Sequence, residues 1–570
     1  MLSRSRSVSD PRWSPGGARL AWVERFDGRS DVVVSPADGS GPPVVVTGEC
    51  GVAGGYAWVD DDALVVAGRD GRLVAVHADG GVIRVLTTEG QALAPSVSAR
   101  GEVACAIERD DACDIATLTL DGDAWPARVS RADYAWDPSW SPDGRVLVWH
   151  EWDLPGMPWQ ESRIMRRDST DEKPSVVAAG PDCGQPRFAP DGRKLAWIAG
   201  GALVVDGEPV LAERFEHAEP SWGSGQRSYA WSPSSDELAW CRNEDGFGRL
   251  VIGAPGRKSA RELSRGWHRG LDWSEHGIVC VRSGAVTPTQ IVVLAPNGSA
   301  RRSLARGPVG GFERTPLVEP RAVSWRSGAA TVRGLLWRPA GATEPLPMVV
   351  HVHGGPTDQA AADWNPRVQW LVQRGYVVLQ PNFRGSTGFG TAYREALDGH
   401  WGERDVADVA AGIKHAVKEG WAVSGRIALM GGSAGGLTVL NVAALHPDLV
   451  AAAIALYPVT DLLDLDATTH RFESGYTASL VGPLPEARDV YLANSAITHA
   501  AKIRAAVLLL HGADDKVVVP AQSAAVDQIL QRTGTHVERV VYDGEGHGWR
   551  NAATIADELA RVEAFLARWC

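Results

Sequence analysis

Two kinds of hydrophobic pattern divide this chain. Over about the first 300 residues, short apolar runs alternate with polar positions, as in Arg145-Val146-Leu147-Val148-Trp149. Each run follows a turn rich in Pro, Asp and Gly, and a second turn such as Ala37-Asp38-Gly39 closes the next hairpin. Period-two alternation between tight turns predicts strands joined as hairpins. The turns recur as PRWSPGGARLAWV at Trp13, YAWVDDDALVVAG at Trp58, PSVSARGEVACAI at Val97, PSWSPDGRVLVWH at Trp140, PRFAPDGRKLAWI at Phe188, YAWSPSSDELAWC at Trp231 and LDWSEHGIVCVRS at Trp273. Successive units lie roughly 39 to 48 residues apart, the period of a four-stranded propeller blade. A β-propeller of about seven blades is expected over Ser7 to Gly307, with the regular Trp packing blade against blade.

The pattern changes after Gly310-Gly311. From Pro347 onward, apolar runs at Met348 to Val352, Tyr376 to Gln380, Ile427 to Met430, Ala451 to Leu456, Ala506 to Leu510 and Val537 to Tyr542 alternate with helical stretches such as Asp405 to Lys418 and Ala521 to Arg532. Strands alternating with helices predict a doubly wound, mostly parallel sheet. In such sheets chemistry gathers at the carboxyl ends of the strands.

A chain of 570 residues exceeds what one hydrophobic core supports, so two domains are expected, a propeller over 1–310 and a doubly wound α/β domain over 311–570. Hydrophobic residues at 44% and charged residues at 22% fit an ordinary folded enzyme. The net charge of −12 argues against nucleic acid and anionic lipid as partners, since both require clustered Lys and Arg. Met1 to Asp10 has no apolar stretch suited to a signal peptide and no later run suits a membrane span, so a cytoplasmic location is expected. The seven cysteines lack zinc spacing and CxxC pairs and read as buried reduced thiols.

Gly431-Gly432-Ser433-Ala434-Gly435-Gly436 follows a strand and precedes the helical run Leu437 to Leu445, the context of a nucleophile elbow. The glycines at 431 and 435 let the flanking chains pass closely, and the helix that starts there turns its first amides toward a developing oxyanion. A serine hydroxyl needs a base, and the base an orienting acid, in the order Ser, Asp, His. The acid falls in His511-Gly512-Ala513-Asp514-Asp515 after one strand, with Asp514 and Asp515 both available, and the base is His547 in Asp543-Gly544-Glu545-Gly546-His547-Gly548 after the next. The amide of Ala434 supplies one oxyanion donor, and the loop His353-Gly354-Gly355-Pro356 is placed to supply a second.

These motifs, with Asn382-Phe383-Arg384-Gly385-Ser386-Thr387-Gly388-Phe389-Gly390 and Tyr457-Pro458-Val459-Thr460-Asp461, resemble the prolyl oligopeptidase family of serine peptidases, over nearly the whole chain, and so imply that the second domain is an α/β-hydrolase domain. The resemblance selects Asp515 as the acid, matches the oxyanion amides to Gly355 and Ala434, and implies that the propeller admits only short peptides and small amides. Trp149-His150-Glu151-Trp152-Asp153-Leu154-Pro155-Gly156-Met157-Pro158-Trp159 and Leu456-Tyr457-Pro458 through Thr469-His470-Arg471-Phe472-Glu473-Ser474 are similar to the branch of bacterial aminopeptidases and puromycin-hydrolysing enzymes. That similarity implies a substrate with a free amino end, for which Glu151, Asp153 and Glu473, beside Trp159, are the carboxylates at hand. Leu154 and Gln160 depart from that branch, which tends to carry His and an acid there.

The expected chemistry is acyl transfer to water by Ser433, His547 and Asp515, without metal or organic cofactor. The expected partner is a short peptide or small aminoacyl amide, with release of an N-terminal residue. An acylaminoacyl or dipeptidyl peptidase, and an esterase or acyltransferase using the same triad, stay open, as does assembly into a homo-oligomer. A binding protein with an inert hydrolase domain is disfavoured by the intact triad.

Overall fold

A computed structural model describes residues 6–26, 28–88, 90–121, 125–307, 312 and 316–570. The expected boundary at Gly310-Gly311 and the first five residues, Met1 included, lie outside the described residues. The chain divides into two compact units, one holding residues 6–307 and the other 312 and 316–570.

The first unit is built of antiparallel meanders. Five sheets have four strands each, and an eight-stranded sheet consists of two further meanders joined by a single parallel bridge, Cys113 to Tyr134. That makes seven four-stranded blades. The repeated turn works through its side chains: Ser141 Oγ donates to Asp143 Oδ1 at 2.6 Å, Gly144 N donates to Ser141 O at 2.8 Å, and Gly144 takes the left-handed φ of 67° that glycine tolerates. The regular tryptophans do join blades. Trp13 Nε1 donates to Gly277 O at 3.1 Å, Trp58 Nε1 to Arg12 O at 3.2 Å and Trp231 Nε1 to Arg187 O at 3.3 Å. The ring closes by packing, with Val8, Trp13, Leu20 and Trp22 of the first blade against Val279, Val281, Ile291 and Val293 of the last.

The second unit carries one eight-stranded sheet. Its strands are β1 (Arg321–Ser327), β2 (Ala330–Trp337), β3 (Leu346–Val352), β4 (Val377–Asn382), β5 (Ala422–Gly432), β6 (Ala452–Leu456), β7 (Ala506–Gly512) and β8 (Val537–Tyr542). Their spatial order is β1-β2-β4-β3-β5-β6-β7-β8, with β2 antiparallel to both neighbours and the strands from β3 onward parallel. Every residue of β6 and β7 is buried, as expected of parallel strands covered on both faces. The sheet begins earlier than the change of pattern at Pro347 suggests, because β1 and β2 form an antiparallel hairpin whose outer strand alternates exposed and buried positions. The helices Arg404–Lys418 and Ala521–Thr533 fall where expected, and the helix after Ser433 runs from Ala434 to Leu445. Among the described residues no helix is long and apolar enough to cross a membrane.

Candidate active site

Ser433 stands between β5 and the helix Ala434–Leu445 with φ 56° and ψ −125°, a conformation an L residue keeps only when its surroundings enforce it. The enforcement is visible. Ser433 N donates to Leu456 O at 3.0 Å, while Ser433 O accepts from Gly436 N at 2.9 Å and Val459 N at 3.2 Å. A Cβ on Gly431 would lie 2.6 Å from Gly435 O, and one on Gly435 2.6 Å from His353 O. Side chains at either position would therefore push the elbow apart. Ala434 opens the helix, where amides lack an intrahelical acceptor.

Asp515 and His547 meet across two strand ends. His547 Nδ1 lies 2.8 Å from Asp515 Oδ2, and Asp515 Oδ1 accepts from Val517 N at 2.9 Å and Val518 N at 3.0 Å. His511 Nε2 stands 3.4 Å from Asp515 Oδ2. Burial pushes the Asp515 carboxyl up, but the hydrogen bonds from His511, His547 and the Val518 amide outweigh it and hold the group well below the ordinary carboxylate range. An ionised Asp515 can only accept, so Nδ1 of His547 carries the proton, and in the neutral imidazole Nε2 is then the nitrogen with the lone pair. Asp514 is exposed and its amide donates to Glu545 O at 2.9 Å; Asp515 is thus the residue of the pair that reaches the imidazole.

The loop after β3 lies beside the serine: a Cβ on Gly354 would be 3.5 Å from Ser433 Cβ. Gly355 has φ 110° and a Cβ there would fall 2.7 Å from Thr357 N, so the turn requires glycine. The Asn382-Phe383-Arg384-Gly385-Ser386-Thr387 segment holds this loop. His353 Nδ1 donates to Gly354 O at 2.8 Å, its Nε2 accepts from Ser386 Oγ at 2.8 Å, and its ring stacks on Phe383 at 4.4 Å. Burial lowers the His353 imidazole to about 4, so the ring stays neutral in this tautomer. Asn382 exchanges two hydrogen bonds with the Ala360 backbone, at 2.7 and 3.0 Å, and Tyr476 OH donates to Thr357 Oγ1 at 2.7 Å.

The expected substrate acids are all engaged. In the propeller unit Glu151 accepts from Trp149 Nε1 at 2.8 Å and lies 3.4 Å from Arg163, which also pairs with Asp153 at 2.7 Å. Trp159 is buried against Trp222, with ring centroids 4.5 Å apart. In the hydrolase unit Glu473 accepts from Thr469 Oγ1 at 3.3 Å and lies 3.5 Å from His470 Nε2. Sequence reasoning passed over three supporting residues. Glu545, fully buried, accepts from the Arg550 and Asn551 amides at 2.8 and 2.9 Å and so shapes the loop carrying His547. His511 and Tyr476 are the others. Glu545 and His511 do stand in the His547 and Asp515 motifs, which was the available signal.

Residues 362–570 match the family model described as the prolyl oligopeptidase family. A dipeptidyl aminopeptidase BIII of Pseudoxanthomonas mexicana is 32% identical over 232 residues, 40% of this chain and 34% of that protein. An acylamino-acid-releasing enzyme of Sus scrofa is 28% identical over 241 residues, 41% of this chain and 33% of that protein. The matched stretch thus spans about a third of the length of these curated relatives. A solved puromycin hydrolase is similar over 100% of this chain and 95% of its own, with a TM-score of 0.89 and 27% identity.

Proposed function

We propose that this chain, whose residues 362–570 match the prolyl oligopeptidase family model, hydrolyses the amide bond of short peptides or small aminoacyl amides, with Ser433, His547 and Asp515 as its catalytic triad. The observation that carries the reading is the strained elbow at Ser433 together with a His547 imidazole whose tautomer is fixed by Asp515 at 2.8 Å. Ser433 Oγ attacks the carbonyl carbon and passes its proton to His547 Nε2. The amides of Ala434 and Gly355 receive the oxyanion. His547 then protonates the leaving amine, the C–N bond breaks, and a water deprotonated by the same imidazole releases the acyl group from the serine.

The favoured substrate has a free amino end, in keeping with the puromycin hydrolase to which the whole chain is similar. A specific observation favours a second reading. Arg163 already pairs with Glu151 and Asp153, so these carboxylates are not free for an ammonium, and an N-acylated substrate, as the name of the Sus scrofa relative implies for that enzyme, would not need them.

Hydrolysis of paired aminoacyl and N-acetyl-aminoacyl anilides by the wild type and by Ser433→Ala separates these. Turnover of the free-amine substrate alone, lost by on the order of 10⁶ in kcat in the variant, is expected. Preference for the acetylated substrate would transfer the assignment to an acylaminoacyl peptidase, and activity that survives Ser433→Ala would overturn the mechanism.

A further inference from the structure

Among the described residues of the hydrolase unit, two that are not glycine hold a left-handed backbone: Ser433 at φ 56° and Tyr457 at φ 36°. The first is accounted for by the elbow. The second is a bulky aromatic residue in a region such residues avoid, directly after β6, and a strained residue held in place by its neighbours calls for a functional reason.

The surroundings of Tyr457 supply one. Its ring centroid lies 4.7 Å from that of His547, tilted by 59°, and 5.3 Å from Trp549, edge-on at 82°. The ring also lies against the strand that delivers the nucleophile, since a Cβ on Gly432 would sit 2.9 Å from Tyr457 Cε2 and 3.0 Å from its hydroxyl. The backbone on either side is tied to the elbow: the residue before it, Leu456, accepts from Ser433 N, and Val459, two residues on, donates to Ser433 O. Tyr457 N itself donates to Leu510 O at 2.6 Å, on the strand that leads to Asp515. Trp549 is braced in turn by Tyr542 at 5.0 Å, whose hydroxyl donates to Asp557 at 2.8 Å. One residue therefore touches the arms carrying nucleophile, base and acid.

We propose that Tyr457 is a positioning residue for the acyl transfer: its ring fixes the imidazole of His547 relative to the elbow of Ser433, and the left-handed backbone is what turns the ring there. The role rests on the triad reading above. It requires the ring and not the hydroxyl, so Tyr457→Phe should keep kcat within about threefold of wild type. Tyr457→Asn removes the ring while supplying a residue that tolerates a left-handed backbone. Misplacement of reacting groups by about 1 Å costs on the order of a hundredfold, so kcat on an aminoacyl anilide should fall by about tenfold to a hundredfold with KM nearly unchanged. The rate of covalent labelling of Ser433 by a fluorophosphonate should fall in parallel, while circular dichroism reports a folded protein. If Tyr457→Asn does not fold, Trp549→Leu removes the brace behind the ring and should lower kcat several-fold in the same way. Unchanged kcat and labelling in a folded Tyr457→Asn, or a loss confined to KM, would overturn the positioning role alone. Failure of the wild type to be labelled at Ser433 would overturn the triad and this role together.

Discussion

At the residue scale the site is a set of side chains held in states they would not choose in water. Asp515 is buried yet kept ionised by its donors. Its folded pKa lies below its unfolded one, so the group adds stability above about pH 4, the ordinary carboxylate range, and loses it as the pH falls further. The difference in urea midpoint between wild type and Asp515→Asn should be widest near pH 7 and narrow below about pH 4. The same substitution should lower kcat by on the order of 10⁴, because an amide can stabilise the wrong imidazole tautomer. Ser433→Gly should abolish turnover and yet raise thermal stability, by an amount on the order of 1 kcal/mol, since it releases the left-handed backbone of a non-glycine residue; an unchanged or lower melting temperature would contradict the strain. Ser433, Asp515 and His547, the triad proposed here, could be singled out in the sequence because each follows a strand in a motif of fixed order. Tyr457 was visible as part of a motif, but its contact with His547 joins the ends of two strands that neither local pattern nor spacing relates.

Individual elements differ in how openly the chain declares them. Strands buried on both faces, such as β7, read as unbroken apolar runs and appear within a residue or two of their observed ends. The hairpin of β1 and β2 hides because its outer strand carries Arg321 and Arg326 at exposed positions. The outer blade strands Val44–Val45, Ala127–Arg128 and Glu208–Pro209 are two residues long, too short to leave a period. The Asn382 to Gly390 segment, recognised as a motif, turns out to be the support of the loop after β3. Its anchor is Arg384, which reaches Asp408 of the helix Arg404–Lys418 through Nη2 at 2.7 Å and Nε at 2.9 Å. Asp408 is fully buried, so Arg384→Met leaves an unpaired charge inside the protein. A loss of about 3–5 kcal/mol in unfolding free energy is expected for such a break, read by urea titration, with Asp408→Asn in the Arg384→Met background restoring part of it.

On the scale of the whole molecule, repetition made the propeller readable, since seven copies of one turn outweigh the irregularity of any single copy. The closure of the ring was not readable, because it depends on Trp13 and Trp22 meeting Val279 and Ile291, residues far apart in the chain. Trp13→Ala should cost the propeller about 3–5 kcal/mol, as large-to-small changes in a packed core do, measured on tryptophan fluorescence during denaturant unfolding; a negligible shift would show that closure does not depend on this side chain. Each blade is a continuous stretch of chain, and the two ends of the propeller lie together: a Cβ on Gly307 would fall 3.4 Å from Arg6 O. The order in which the blades follow one another is therefore a property of the gene more than of the ring. A circular permutant of residues 6–307, with those ends joined by a short linker and new termini opened in the exposed turn at Gly80-Gly81, has the same neighbours to find for every strand, and the fold is indifferent to where its chain starts.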